Sequence, residues 1–325
     1  MAATRFAYVK TYELPDPILP NTYFVVRIDG QSFHRFSDVH AFVKPNDLSA
    51  LQLMDNAAED VMRALPDAVL GFGESDEYSF LFRKTATLFN RRESKIMSTV
   101  VSHFTSSYVF NWSRYFPDKM LQYPPTFDAR LVVYPSEKEV KDYFAWRQAD
   151  THINNLYNTA FWALVQQGGM STSEAHQKLN GTVSADKNEI LHSQFGINYN
   201  SVDARFRKGS VVVKVQARKS ETSKRSLALL SASYVSQKPV EKPNEASGSS
   251  AQSDVEAGGS FDQGTPDTDV GEKDITAQKI QHRREKKEAK KAEKMAMRKR
   301  EWVLSVMHCD VIGDDFWHSH PDILQ

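Results

Sequence analysis

The chain has 325 residues, 40% hydrophobic and 25% charged, with 41 lysines and arginines balancing 41 aspartates and glutamates. One large domain or two ordinary ones fit that length, and whole-chain charge names no partner. The single cysteine, Cys309, excludes an internal disulfide framework and a thiolate metal cluster and suits a reducing compartment. No stretch approaches the roughly 20 apolar residues of a membrane helix, and the first residues lack a signal-peptide core. An intracellular protein of the cytoplasm or nucleus, without membrane attachment, is expected.

Residues 22–28 are a run of β-branched and aromatic residues that predicts a buried strand, stopping at Asp29-Gly30. After a polar loop, "NDLSALQLMDNAAEDVMRAL" repeats apolar residues at helical spacing behind the cap candidates Asn46, Asp47 and Ser49. "AVLGFGESDEYSFLF" (68–82) is two apolar runs around Gly73-Glu74-Ser75-Asp76-Glu77, the pattern of a hairpin with a polar tip. A helix is expected from Asn90 to Tyr115, with Ile96, Val100, Phe104, Tyr108 and Val109 on one face, and a strand over 127–135. The order β-α-β-β-α-β predicts an α+β fold of the ferredoxin-like, split βαβ kind: an antiparallel sheet with helices on one face.

A helical block follows. "SEKEVKDYFAWRQADTHINNLYNTAFWALVQQG" opens with a predicted capping box, Ser136 to Glu139, and ends at Gly168-Gly169. Two shorter helices, "TSEAHQKLNG" and "SADKNEILHSQF", precede a strand over 206–215. The chain thus divides into a folded region over 1–215, a disordered linker rich in Ser, Gly, Pro and acidic residues over 216–278, a basic helix-prone segment over 279–301, and an apolar C-terminal segment, 302–325, expected to pack back on the first.

A split βαβ sheet places the end of its first strand beside the hairpin of its second and third, so Asp29 and Asp76 converge. Paired carboxylates suit a hard divalent ion, and Gly30 lets its backbone approach a metal or phosphate closely. The same residues are also ordinary turn formers, since Asp-Gly and Ser-Asp-Glu are common in solvated loops. From the pattern alone both readings stand.

"RIDGQSFHRF", "GFGESDEYSFLF", "HINNLYNTAFWALVQQGGMS", "KLNGTVSADKNEILHSQFGINYN", "RKGSVV" and "HCDVIGDDFW" resemble, in this order, the motifs of the tRNA-histidine guanylyltransferase family. The resemblance covers 5–215 and 302–325. It implies a polymerase-palm nucleotidyltransferase with an added helical fingers region that adds a guanylate to the 5′ end of tRNA(His). ATP would activate the 5′-phosphate, the 3′-hydroxyl of GTP would attack it and expel AMP, and pyrophosphate would then be removed.

By the same resemblance two magnesium ions sit on Asp29, the carbonyl of Gly30, and Asp76, with Glu77 as electrostatic support. Gln31, Ser32, Phe33, His34 and Ser75 would wrap the triphosphate, His34 being carried on a loop. Lys44, Arg92 and Lys95 match positions used around activation and would bind the nucleotide, the last two sharing a helix face at i and i+3. His152, Lys187 and Asn198 resemble residues that contact triphosphate or tRNA, and homotetramers are the family's expected assembly. Apart from the family, the exposed basic residues read as solvated surface and His152 as a structural histidine.

Asn154, Asn155 and Asn158 lie where a helix prefers Ala or Leu, which points to hydrogen bonding or to an exposed polar face. Asp310, Asp314, Asp315, His318 and His320 match no metal-ligand spacing and read as polar surface around Phe316-Trp317. The basic run 279–300 suits a tRNA tether, a nuclear-import signal or a solvated helix. Two other functions fit the pattern: a nucleotide cyclase, which also uses paired carboxylates on such a sheet but turns over nucleotide alone, and a non-catalytic RNA-binding protein.

Overall fold

The computed structural model describes residues 4–216 and 302–325. Its centre is a six-stranded sheet of β1 (Tyr23–Gly30), β2 (Ala68–Glu74), β3 (Glu77–Phe82), β4 (Phe127–Tyr134), β5 (Ser210–Gln216) and β6 (Trp302–Met307), in the spatial order β4-β1-β3-β2-β5-β6. The pairs of β1 with β3 and β4, and of β2 with β3 and β5, are antiparallel. The crossover from β1 to β2 runs through α2 (Leu48–Ala64) and spans β3, and that from β3 to β4 runs through α3 (Glu93–Tyr115) and spans β1.

Two cores share the sheet. On one face Phe24, Val26 and Ile28 of β1 pack with Leu53 and Val61 of α2 and with Ile96, Val100 and Phe104 of α3. On the other, Tyr23 and Val25 pack with Val140 and Phe144 of α4 (Glu137–Gln166) and with Val311, Phe316 and Trp317 of the C-terminal segment, where α8 (Asp314–Ser319) lies. The expectation of helices on one face is therefore corrected. Because both faces are covered, β1 reads as an unbroken apolar run, each large side chain contributing about 1.5–3 kcal/mol on burial. A third core joins the C-terminal half of α4 to α5 (Thr172–Leu179) and α6 (Ser184–Phe195) through Leu156, Leu164, Leu179 and Leu191.

Several local expectations change. The stretch after Gly30 is not a loop but a seven-residue helix, α1 (Phe33–Val39), which buries Phe33 and Phe36. Asp47 is the cap of α2, accepting from Ala50 N at 3.1 Å, whereas Asn46 and Ser49 are not. α3 starts at Glu93 because Phe89, Asn90 and Arg91 take positive φ, and Arg91 turns inward to donate to the carbonyls of Ile18, Ala86 and Thr22. Val109 is 38% exposed: it follows the buried Tyr108 by about 100° of helix, so only one of the two can face the core.

At the start of α4, the Ser136 hydroxyl accepts from Lys138 N at 3.2 Å and bonds the Glu139 carboxylate, so the reciprocal box is incomplete there. The complete box is Ser171 with Glu174, at α5. The strand expected from residue 206 begins at Ser210, since Asp203 caps a short helix, α7 (Ala204–Lys208), that ends at Gly209 with φ +76°. Apart from Gln216, which ends β5, the expected linker and the basic segment over 279–301 lie outside the described residues. Among the described residues no helix is long and apolar enough to cross a membrane.

Candidate active site

β1 and the hairpin of β2 and β3 end together at the mouth of a cavity of about 950 Å³. Its walls come from α1, residues 42–47, the start of α2 and the inner side of α4. Asp29 faces Glu77 across to β3 and Asp128 across to β4, while Ser75, at φ 50°, tightens the hairpin so that Asp76 turns back over β1. The Gly30 amide donates to the Asp76 carbonyl at 3.1 Å. A Cβ on Gly30 would stand 2.8 Å from Asp76 Oδ2 and 2.3 Å from the Phe33 ring, so any side chain there would displace the carboxylate or the ring.

Burial pushes the Asp76 carboxyl up, a hydrogen bond from Ser75 opposes it, and the charge of Asp29 pushes it further up. None of the ion pairs among the described residues includes Asp29 or Asp76. Two like charges without a cation are a donor set that a hard divalent ion neutralises. Among the described residues no cluster of three or more His, Cys, Asp or Glu is arranged to hold a metal. The protein would thus offer two carboxylates and a carbonyl, leaving the other positions to substrate phosphates and water, which is the coordination magnesium favours.

Glu77 is occupied differently. Arg147 of α4 donates to both its oxygens, at 2.8 and 3.0 Å, and also bonds Glu74 and, at 3.0 Å, Asp150. Burial raises the Glu77 carboxyl to about 7, against the pull of Arg147 and with the push of Glu74. Arg27 stands 3.7 Å away.

The other expected residues separate into two sets. His34 and Lys44 line the cavity with Phe33 and Ser75. His34 is exposed and pairs with Asp38 at 3.4 Å, and Lys44 Nζ donates to Ser37 at 2.7 Å and meets Asp38 at 3.0 Å. Gln31 and Ser32 form the exposed turn between β1 and α1. Arg92 and Lys95 are not part of the wall: Arg92 precedes α3 and pairs with Asp16 at 3.1 Å. His152 packs edge-on against Tyr199, and Asn198 caps a turn by accepting from Asn200 N at 3.0 Å. Lys187 donates to Thr182 O at 2.8 Å beside a second cavity of about 630 Å³. Asn154, Asn155 and Asn158 all line the main cavity, and Asn155, buried, donates to the Tyr199 hydroxyl at 3.0 Å. Asp310 holds its own loop by accepting from Ile312 N and Gly313 N.

Sequence reasoning missed Asp55, Tyr108, Arg147 and Arg205, all in the cavity wall. Asp55, 6% exposed, binds Arg205, Ser210 Oγ at 3.1 Å and Tyr78 OH at 3.2 Å, tying α2 to α7 and β5. A signal existed: an aspartate within the apolar "LQLMDNAA" of an otherwise core-facing stripe needs a buried partner.

A carboxylate pair at strand ends without a cationic partner among the described residues opens on a cavity of nucleotide size. The chain is a nucleotidyltransferase. Residues 6–135 match the family model described as tRNAHis guanylyltransferase, and residues 138–313 match the one described as Thg1 C terminal domain. A probable tRNA(His) guanylyltransferase of Bos taurus is 42% identical over 324 residues, covering 100% of this chain and 89% of its own. The tRNA(His) guanylyltransferase of Neurospora crassa is 56% identical over 216 residues, 66% of this chain and 74% of its own. Among solved structures, that of the Saccharomyces cerevisiae enzyme is similar with a TM-score of 0.62 at 49% identity, over 64% of this chain and 93% of that one. A bacterial guanylyltransferase-like protein in complex with ATP gives 0.53 at 26%, over 63% and 85%. The chain belongs to the tRNA(His) guanylyltransferase family.

Proposed function

We propose that this protein adds a guanylate to the 5′ end of tRNA(His), using a ferredoxin-like palm on which Asp29, the Gly30 carbonyl and Asp76 hold two magnesium ions. The observation that carries the reading is the convergence of Asp29 and Asp76 without any cationic partner among the described residues. The bound ions would neutralise charge on the phosphates during each substitution. Asp29 and Asp76 supply the negative charge that fixes them, and Gly30 keeps the approach to its carbonyl open. Ser75 orients Asp76, and Glu77, held by Arg147, adds acidic charge behind Asp29 without being free to ligate. His34 and Lys44 offer donors to the triphosphate from the opposite wall, with Lys44 leaving Asp38 to do so.

The order of events follows the family: activation of the 5′-phosphate by ATP, attack by the GTP 3′-hydroxyl, and loss of pyrophosphate. Arg92, Lys95, His152, Lys187 and Asn198, which lie outside the cavity wall, are proposed to contact the tRNA or its 5′ end. Assembly into homotetramers and action inside the cell, in the cytoplasm or nucleus, complete the proposal. The test is transfer of label from GTP to 5′-phosphorylated tRNA(His) in the presence of ATP and magnesium. Wild type is expected to label the RNA and Asp76→Ala to lose the activity. Label appearing only in a cyclic nucleotide, or equal labelling by the variant, would sink the proposal.

A further inference from the structure

Three Lys or Arg side chains stand in the wall of the main cavity among the described residues: Lys44, Arg147 and Arg205. Two of them are answered by acids within the chain. Lys44 meets Ser37 and Asp38, and Arg147 clasps Glu77 with one whole edge, donating from Nε to Oε1 at 2.8 Å and from Nη2 to Oε2 at 3.0 Å. Arg205 differs. Its Nη1 alone is engaged, by the Asp55 carboxylate and by the Ser210 hydroxyl at 3.5 Å, and no described residue accepts from its Nε or Nη2. The edge that Arg147 closes on a carboxylate is therefore open in Arg205. It is also reachable: the side chain is 15% exposed, and the arginine nitrogens buried without a partner belong to Arg27 and Arg83.

The guanidinium is held from behind. Asp55 also accepts from Ser210 Oγ at 3.1 Å and from Tyr78 OH at 3.2 Å, and Ser210 and Tyr78 both stand opposite Gly73 of β2. α7 closes on the same strand, since a Cβ on Gly209 would come 2.6 Å from the Gly73 carbonyl oxygen and the φ of +76° there suits glycine. Arg205 is thus tied to the hairpin that carries Asp76, three residues on from Gly73, and little ordering is left to be lost when it binds. Nε and Nη2 together form a planar fork of parallel N–H donors that matches two oxygens of a carboxylate or a phosphate. No described carboxylate fills it, and the substrates of a nucleotidyltransferase bring phosphates into this cavity.

We propose that Arg205 is a phosphate-binding residue of the main cavity, its open edge of Nε and Nη2 donating to two oxygens of a phosphate carried by a substrate, an inference that rests on the nucleotide-site reading above. The phosphate belongs either to the free nucleotide or to the RNA, and the two sources separate by experiment.

The experiment measures Kd for GTP and guanosine by calorimetry with magnesium, and for 5′-phosphorylated tRNA(His) by fluorescence anisotropy over a salt series, on wild type and two variants. Arg205→Lys keeps the charge opposite Asp55 and loses the fork, whereas Asp55→Asn with Arg205→Gln removes both charges and keeps amides in their place. At least one phosphate-bearing ligand should bind roughly 10-fold more weakly to both variants, with guanosine unchanged. A loss for GTP assigns the phosphate to the free nucleotide. A loss for tRNA, with a salt slope shallower by about one in the double variant, assigns it to the RNA. Unchanged affinity for GTP and tRNA in Arg205→Lys, or an equal loss for guanosine, overturns the proposal and leaves Arg205 as a tie between α2 and α7. If the double variant lacks a thermal transition, Arg205→Lys decides alone. Wild type that binds no GTP would instead break the nucleotide-site reading, so the two failures are distinct.

Discussion

Two acidic groups share one end of the sheet and have opposite electrostatics. Glu74 and Glu77 are buried against Arg147, which answers their charge within the chain. Asp29 and Asp76 lie one strand position away with no such answer among the described residues. The protein sets a buried arginine against one carboxylate pair and, among the described residues, none against its neighbour. The first pair is architecture. The second sets two like charges side by side with no counter-charge among the described residues.

That contrast can be broken most decisively at Asp29. Asp29→Asn removes the charge of a proposed ligand while keeping its shape, and it is expected to lower guanylylation by about 10³-fold in single-turnover assays, with folded stability unchanged or raised because a like-charge repulsion is gone. A variant that loses activity by losing its fold would show that the carboxylate is structural after all.

Arg147→Met should behave in the reverse sense. It leaves Glu74 and Glu77 buried without their counter-charge, and it is expected to destabilise the fold by about 3–5 kcal/mol in urea titrations. Adding Glu77→Gln to Arg147→Met should recover part of that loss. Independence of the two changes would mean that Arg147 serves packing rather than pairing.

The smallest effect is one of pH. A carboxyl raised above its ordinary value binds more protons folded than unfolded, so stability falls as pH rises from the unfolded value toward the folded one. For Glu77 that window runs from 4.5 to about 7. Asp76 is shifted in the same direction, and on the proposed reading its penalty is the one that a bound cation would remove. The magnesium-induced rise in Tm should therefore grow from pH 5.5 to pH 8, by a few degrees, and vanish in Asp76→Asn. A shift that is independent of pH, or that survives the substitution, would place the cation elsewhere.

Much of this was legible in the chain. β1, α2, the 68–82 hairpin, α3 and β4 each announce themselves by period, because burial on one face or on both leaves its mark on local apolar spacing. α1 did not, since seven residues with two buried aromatics make less than two turns of signal after an Asp-Gly that reads as a turn. The carboxylates Asp29 and Asp76 were legible as candidates through the strand order. Their freedom was not, because an acid looks the same in sequence whether or not an arginine waits for it.

What the sequence determined by itself was most of the longer elements, their order and the family motifs, all of which are local in the chain. Only the tertiary structure decided which charges are paired. Arg147 reaches Glu77 from 70 residues away and Arg205 reaches Asp55 from 150. The Tyr108 hydroxyl has no hydrogen-bond partner among the described residues, though nothing in its own helix says so. Pairing depends on which side chains the fold brings within a hydrogen bond's length, and a linear pattern carries no such distance.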